Sequence, residues 1–129
     1  MKKWTLQQLL DNGFEIQNAQ ITKVSLNMEN HGCLTLNLTV KGEGWGCGYG
    51  NYCLGKGYVG AADDFFEGDA KGLESIMRIM DTVGVSEFLD MEDKYIRVAL
   101  KDLDSVKIIG NIMEDKWFDY ETFFGQTSY

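Results

Sequence analysis

In the stretch KGEGWGCGYGNYCLGKG, residues 41–57, glycine occupies every second position from Gly42 to Gly50 and returns at Gly55 and Gly57. Successive side chains of a β-strand point to opposite faces, so this spacing predicts a strand with one face of bare backbone. The other face would carry Glu43, Trp45, Cys47, Tyr49 and Asn51. A bare strip lets a ligand, a second subunit or the chain's own helix approach the main chain closely. The alternative interpretation is a flexible hairpin at the edge of a sheet.

The segments on either side extend this stretch into an antiparallel sheet. Residues 33–41 alternate apolar and polar side chains and residues 19–28 mostly do so, which predicts a hairpin with its turn at 29–32. Residues 94–100 and 105–113 show similar alternation and predict a second hairpin closed by residues 101–104. Residues 58–70 contain four acidic side chains and predict a loop.

The clearest helix prediction covers residues 70–83, where apolar side chains recur at helical spacing and Gly84 follows as a stop. Its apolar positions are Leu73, Ile76, Met77, Met80 and Val83, and this face is expected to pack on the sheet. Residues 4–12 predict a short helix with Thr5 as its N-cap. Residues 85–91 predict a turn that presents Phe88, and residues 114–124 predict a short helix folded back on the body.

Together these elements predict one α+β domain over residues 1–129, an antiparallel sheet of hairpins packed by one main amphipathic helix and short terminal helices. Residues 1–18 would form a helical extension and residues 19–124 the core.

Composition narrows the functional classes. The chain is 44% hydrophobic and 25% charged, as in soluble globular proteins, and its net charge is −8. It lacks the basic stripe that phosphate backbones require, so we predict no direct contact with nucleic acid. No apolar run approaches a membrane span and the start lacks a signal-peptide core, which predicts an intracellular protein without membrane contact. Three cysteines argue against a disulfide framework.

Catalytic chemistry finds little support. The single histidine, His31, excludes most serine and cysteine triads, and the glycine-rich stretch matches neither the dinucleotide fingerprint nor the P-loop. His31, Cys33, Cys47 and Cys53 could formally form a zinc site, but they lack the tight ligand pairs of structural sites. Adjacent carboxylates are expected by chance among 20 acidic residues. We therefore predict no enzyme, no cofactor, no metal and no catalytic residue.

Binding chemistry is better represented, because several basic residues lie near aromatic ones. A purine needs a stacking ring, and a diphosphate needs Arg or Lys beside backbone amides. The candidate ligand-binding residues are Trp45, Tyr49, Phe88, Arg97, Lys116 and Trp117. Trp117 also has a simpler role available, as an anchor of the C-terminus in the core.

Three groups of segments, in this order, resemble one family. The first is NHGCLT at residues 30–35 with the glycine-rich stretch through NYCLG at 51–55. The second is GLESIMRIM at 72–80 with VGV at 83–85, and the third is KYIRV at 94–98 with GNIMEDKWFD at 110–119. The order is similar to that of a small bacteriophage protein family, the first-described Thoeris anti-defence (anti-Thoeris) proteins. The similarity covers about residues 19–124.

This resemblance implies a sponge in the host cell cytoplasm, which holds an intact signal without cleaving it. Members of the family form oligomers and sequester cyclic ADP-ribose isomers made by TIR-domain immune enzymes, and some also capture cyclic trinucleotides. They clamp the adenine between an aromatic ring and an arginine. By position, Phe88 matches the ring and Lys116 the cation, and a lysine there would lose planar stacking and bidentate contacts. Arg97 could replace it. A dimer or higher homo-oligomer is the expected state.

Two other functions remain open. The acidic chain could inhibit a host defence protein as an anti-CRISPR-like nucleic-acid mimic, which would need carboxylates spaced along one face. It could also be a structural phage accessory protein. A sponge would instead need a basic cavity lined by aromatic rings.

Overall fold

The computed structural model describes residues 3–60, 63–102 and 105–125, and within them seven strands form one antiparallel sheet. The strands are β1 (Glu15–Asn30), β2 (Cys33–Gly42), β3 (Trp45–Val59), β4 (Asp64–Gly68), β5 (Tyr95–Leu100), β6 (Ile108–Asn111) and β7 (Trp117–Asp119). The helices are α1 (Leu6–Asp11), α2 (Ala70–Val83) and α3 (Tyr120–Gly125), with a 3-10 turn at Phe88–Met91. The sheet order is β4-β3-β2-β1-β5-β6-β7. The predicted α+β class is confirmed.

The long strand β1 holds the sheet together. Its first part, Glu15–Gln20, pairs with β5, and the part from Gln20 onward pairs with β2. The predicted hairpin of residues 19–28 and 33–41 is confirmed, but the first strand begins four residues earlier than predicted, at Glu15. Residues 15–18, which were predicted to belong to a helical extension, are therefore part of the sheet.

The sheet is strongly curved around its core. In a flat sheet β3 and β7 would lie roughly 24 Å apart, since five strand spacings of about 4.8 Å separate them. The Tyr49 hydroxyl of β3 nevertheless lies 3.3 Å from the Phe118 carbonyl oxygen of β7 and 3.2 Å from that of Lys107, and its single hydrogen is shared between these two acceptors. The two ends of the sheet thus bend towards each other on the face that α2 covers.

Each face of the sheet carries its own apolar cluster. On the α2 face, Ile21, Leu36, Leu38, Ile96 and Ile109 are fully buried together with residues of α2 and α3. On the opposite face, α1 covers the β5–β6–β7 end, where a smaller cluster contains Leu9, Ala99, Ile108 and Trp117. Thr5 caps α1 as predicted, within a capping box completed by Gln8.

Three glycines of the sheet make room for aromatic rings on the neighbouring strand. In each pair the glycine and the aromatic residue are directly opposite: Gly42 and Trp45, Gly57 and Phe66, Gly110 and Trp117. A Cβ at any of these glycines would collide with the ring. The bare backbone of two glycines in the 41–57 stretch is therefore used inside the chain itself.

The glycine-rich stretch departs from its predicted alternation in two places. Glu43 and Gly44 form the β2–β3 turn, and Gly50 and Asn51 both have positive φ, at 101° and 61°. The irregularity at Gly50–Asn51 shifts the strand register, so Asn51 does not continue the alternation set by Tyr49. Within the described residues, β3 pairs with β2 alone up to Leu54, and from Gly55 onward it also pairs with β4. The edge-hairpin interpretation therefore fits the first part of the strand.

Three predicted boundaries were wrong. The loop predicted for residues 58–70 contains β4, which pairs along Gly55–Val59, while residues 61 and 62 lie outside the described residues. The predicted C-terminal helix begins only at Tyr120, because Trp117–Asp119 form strand β7. The strand predicted for 105–113 is shortened to β6, and part of the predicted turn at 101–104 also lies outside the described residues.

Helix α2 has its predicted bounds, with Asp69 as N-cap and Gly84 as a left-handed C-cap, and three residues of its predicted packing face, Ile76, Met80 and Val83, do pack on the core. The positions it buries are Gly72, Ser75, Ile79, Thr82 and Val83. Leu73 and Met77 are 62% and 64% exposed. The buried face is set by close packing, since a Cβ at Gly72 would lie 2.8 Å from the Leu54 Cα. Two residues of the predicted apolar stripe are left on the surface.

Candidate functional site

Three of the six predicted site residues come together at the β5–β6–β7 end of the sheet. The Arg97 guanidinium lies 4.8 Å from the centre of the Trp117 ring, and Trp117 occupies the space above Gly110. Lys116 is the last residue of the β6–β7 loop and directly precedes Trp117. These three residues lie near one another because they are adjacent in sequence or lie on neighbouring strands.

Arg97 binds the backbone of the loop between β6 and β7. Its Nε donates to the Asn111 carbonyl at 2.8 Å, and its Nη2 donates to the Glu114 carbonyl at 2.9 Å. These charge-assisted bonds fix the path of residues 111–114. Arg97 therefore positions Lys116 and Trp117 and has less freedom to contact a ligand itself.

Asn111 fixes the same loop from the other side and joins it to α2. Its buried side-chain amide donates to the carbonyls of Thr82 and Val83, which end α2, at 3.0 and 3.2 Å. Its Oδ1 accepts from the backbone amides of Met113 and Glu114, each at 2.9 Å. All the polar capacity of this amide is used, so loop and helix are held in one arrangement.

A cleft of ≈ 260 Å³ lies beside this loop, along the outer edge of β7. Its lining includes three cations, Lys3, Arg78 and Lys116, and the rings of Trp4 and Trp117. The cations come from the N-terminal segment, from α2 and from the end of the β6–β7 loop, so the fold gathers them from three distant parts of the chain. In a protein with net charge −8, three of twelve basic residues thus line one cavity.

Carboxylates in the cleft balance part of this charge. Lys116 Nζ lies 3.4 Å from Asp81 and 3.9 Å from Glu114, and Arg78 Nε is paired with Glu74 at 2.6 Å. Lys116 and Arg78 keep 44% and 40% of their side chains exposed. Exposed ion pairs of this kind contribute little to stability, so a ligand anion can displace the carboxylate at small cost.

The remaining acid of the cleft, Asp115, is held by the protein. Its Oδ1 accepts from the Leu6 backbone amide at 2.7 Å and from Trp117 Nε1 at 2.6 Å. Trp4 is fixed in a similar way, since its Nε1 donates to Asp119 at 3.1 Å and its ring meets Phe14 edge-on. Both indole N–H groups are thereby used within the chain. Of the three aromatic residues that line the cleft, Trp4 is half-buried, whereas Trp117 and Phe118 are buried.

The other three predicted site residues lie elsewhere. Tyr49 is 1% exposed and its hydroxyl is bonded to main-chain carbonyls, so it belongs to the core. Burial raises the pKa of Tyr49 well above that of a free tyrosine. Trp45 lies half-buried against the core and donates to Gln17 at 2.8 Å. Phe88, in the 3-10 turn, packs against the α2-side core and does not line the cleft.

The three cysteines considered as zinc ligands do not lie on the same face of the sheet. Cys47 packs against the core on the α2 face, whereas Cys33 and Cys53 are neighbours on strands β2 and β3. A hydrogen bond with the Cys53 thiol raises the pKa of Cys33. In the part of the chain that the structure describes, no three His, Cys, Asp or Glu side chains gather as metal ligands.

Sequence reasoning missed Lys3, Trp4 and Arg78. The run Lys2-Lys3-Trp4 is a basic-aromatic cluster that could have drawn attention, but nothing local places it beside β7. Arg78 looks like an ordinary surface residue of α2, half of an i,i+4 pair with Glu74. The arrangement comes from the topology, which puts β7 at a sheet edge between α2 and the N-terminal segment.

Comparisons of the chain with protein-family models, curated proteins and solved structures gave no match. Among the described residues, no helix is long and apolar enough to cross a membrane.

Proposed function

We propose that this chain is a binding protein for a small anionic nucleotide and that the cleft along β7 takes part of the ligand. One observation carries the proposal: an acidic protein gathers Lys3, Arg78 and Lys116 around the ring of Trp4 in a single cavity. Lysine and arginine supply the contacts that phosphates need, and the indole offers a stacking surface for a base. The resemblance noted in the sequence makes the ligand a cyclic ADP-ribose isomer, with cyclic trinucleotides as a further class.

The cleft suits a sponge of phage origin that acts in the host cytoplasm and releases its ligand unchanged. Its volume of ≈ 260 Å³ lies just below the roughly 300–1,000 Å³ of common ligand pockets, so it would take only part of a cyclic nucleotide. The rest of a cyclic ligand would extend out of the open side of the cleft. Phe88 does not line this cleft, so it would not clamp the base there.

Within this proposal Lys116 contacts phosphate in place of Asp81, and Trp4 stacks on the base. Arg97 and Asn111 are positioning residues, because they hold the loop that carries Lys116. Lys116 makes a point-like contact with phosphate, whereas an arginine would have bound it through two parallel hydrogen bonds.

The test is calorimetric titration of the purified protein with cyclic ADP-ribose isomers and with cyclic di- and trinucleotides. We expect one of them to bind with a Kd below about 1 μM and to be recovered intact after the protein is denatured. Lys116→Ala should weaken binding by about tenfold or more, as expected for loss of a charged hydrogen bond. Lys41→Ala, which removes an exposed lysine that does not line the cleft, should change affinity less than about twofold.

Recovery of a cleaved ligand would show an enzyme. If none of these compounds binds, the acidic-inhibitor hypothesis becomes the better one, and affinity capture from host lysate should then yield a defence protein.

A further inference from the structure

Several exposed apolar side chains lie on or beside β4. On the α2 face of the sheet they are Met28, Val59 and Phe66, and on the opposite face Tyr58 and Phe65 stack with ring centres 5.5 Å apart. Phe66 is 68% exposed although it lies over Gly57 beside the Met28 methyl group. Exposed apolar side chains that adjoin in this way are typical of an interaction site.

The backbone of β4 is open as well. Within the described residues, β4 pairs with β3 along Gly55–Val59 and is the last strand of the sheet on that side. An exposed edge strand without proline presents a row of hydrogen-bonding groups to another strand. Proteins commonly protect such an edge with a bulge or by covering it, and β4 is a regular five-residue strand.

We propose that β4 pairs antiparallel with β4 of a second copy, so that the two sheets become one across a two-fold axis. The register that this pairing allows supports it. If Phe66 is opposite Phe66 of the second copy, all five residues pair, with Asp64 opposite Gly68 and Phe65 opposite Glu67. No carboxylate of the strand then lies opposite another carboxylate, and the two most exposed rings of β4 meet at the axis.

Two neighbouring registers place carboxylates opposite each other. A register centred on Glu67 places two carboxylates directly opposite each other, and a register centred between Phe65 and Phe66 places Asp64 opposite Glu67. The register centred between Phe65 and Phe66 has a second fault. It places Phe65 opposite Phe66, and because directly opposite residues share a face, the α2 face of one sheet would continue into the opposite face of the other. The register centred on Phe66 keeps both α2 helices, with their exposed Leu73 and Met77, on the same side of the joined sheet.

The self-complementary strand favours a second copy over an unrelated peptide. A peptide would need its own matching sequence, whereas the two-fold axis brings the two Phe66 rings together and keeps the carboxylates apart with the same five residues. The proposal does not depend on nucleotide binding, since no residue of β4 lines the cleft.

The test is sedimentation equilibrium of the ligand-free protein between about 1 and 100 μM. We expect a reversible dimer. Phe66→Glu, which places two like charges at the axis, should raise the dimer Kd by about 30-fold or more. Tyr95→Glu is the matched control, because Tyr95 is an exposed aromatic residue in β5, away from this surface, and it should leave the Kd within about threefold.

A second pair of variants tests the register. Phe65→Lys and Phe65→Glu lose the same ring stacking with Tyr58, but the first places a lysine opposite Glu67 of the second copy and the second places a glutamate there. We expect Phe65→Glu to dimerise about tenfold more weakly than Phe65→Lys. A wild-type protein that stays monomeric at 100 μM, a dimer unaffected by Phe66→Glu, or equal Kd values for the two Phe65 variants would each overturn the proposal.

Discussion

At the scale of single residues, the contact between Gly110 and Trp117 decides how the cleft is built. The absence of a side chain at Gly110 lets the Trp117 ring cross β6 and reach the Arg97 guanidinium. The ring then forms one wall of the cleft while its Nε1 holds Asp115. A small residue on one strand thus fixes a large one on the next, as in other sheets where an aromatic ring covers a glycine.

We predict that Gly110→Ala destabilises the protein by about 1–3 kcal/mol, because the new methyl group overlaps the Trp117 ring in a buried part of the sheet. Urea denaturation would measure the change. Gly46→Ala is the matched control, since the nearest atom to its new Cβ would be Lys41 Cγ at an ordinary 3.5 Å. A similar loss at both glycines would mean that strand flexibility, and not the ring contact, determines the effect.

A second residue-scale prediction concerns alkaline pH. Burial raises the pKa of Tyr52 to about 12, above the ordinary value of 10.0. The folded state therefore keeps a proton that the unfolded state loses first. The resulting stabilisation is complete below pH 10 and is lost as the pH rises from about 10 to about 12, up to about 2–3 kcal/mol for this group.

Tyr52→Phe should accordingly reduce the fall in the free energy of unfolding between pH 9 and pH 12, measured by denaturant titration at each pH. Tyr49 also has a raised pKa, so the variant should retain part of the alkaline loss. An unchanged pH profile in Tyr52→Phe would contradict the assignment.

At the scale of elements, α2 shows that an apolar stripe and a packing face can differ. The helix lies on the sheet through Gly72, Ser75 and Ile79, while Leu73 and Met77 face outward. Two small residues bring the helix backbone close to β3, and this close approach determines the rotation of the helix. Of the predicted stripe, Leu73 and Met77 are thereby left on the surface, whereas Ile76, Met80 and Val83 pack on the core.

Paired substitutions in α2 distinguish these faces. We predict that Ile79→Ala costs about 2–5 kcal/mol, as for a fully buried core residue, and that Met77→Ala costs less than about 1 kcal/mol. Thermal unfolding of the two variants at low protein concentration would measure the difference. Equal losses would place Met77 in the core.

The limits of sequence reasoning follow from the same elements. Alternation of apolar residues predicted β1, β2 and β5, and capping residues predicted the ends of α1 and α2, because these signals are local. Strand β4 was missed since DFFEG has only two apolar residues, on opposite faces, and its existence depends on close approach to Gly55 and Gly57. For the cleft, Lys116 and Trp117 were predicted from their adjacency, whereas Lys3 and Arg78 reach it only through the topology.

At the scale of the whole molecule, the net charge of each copy opposes the proposed dimerisation. Each copy carries a net charge of −8, so two copies repel before their apolar surfaces meet. Salt screens this repulsion over a distance of about 10 Å at 0.1 M. The same screening weakens the attraction between the cleft and a phosphate.

We therefore predict opposite salt dependences for the two interactions. Between about 50 and 300 mM NaCl the dimer Kd should fall several-fold, and the Kd for an anionic nucleotide should rise. Sedimentation and calorimetry in the same buffers would measure both. A dimer that weakens with salt would indicate an interface held by ion pairs and would contradict the apolar one.

The offset pairing of β1 also has a consequence for how the chain folds. Residues 15–68 form one run of strands paired with their sequence neighbours, and residues 95–119 form another. The runs join where Glu15–Gln20 meets Tyr95–Leu100, partners roughly 80 residues apart, and such distant contacts form slowly. During synthesis the first run can pair before the second has left the ribosome, so the amino-terminal part of β1 must wait, unpaired with β5, until residues 95–100 have emerged.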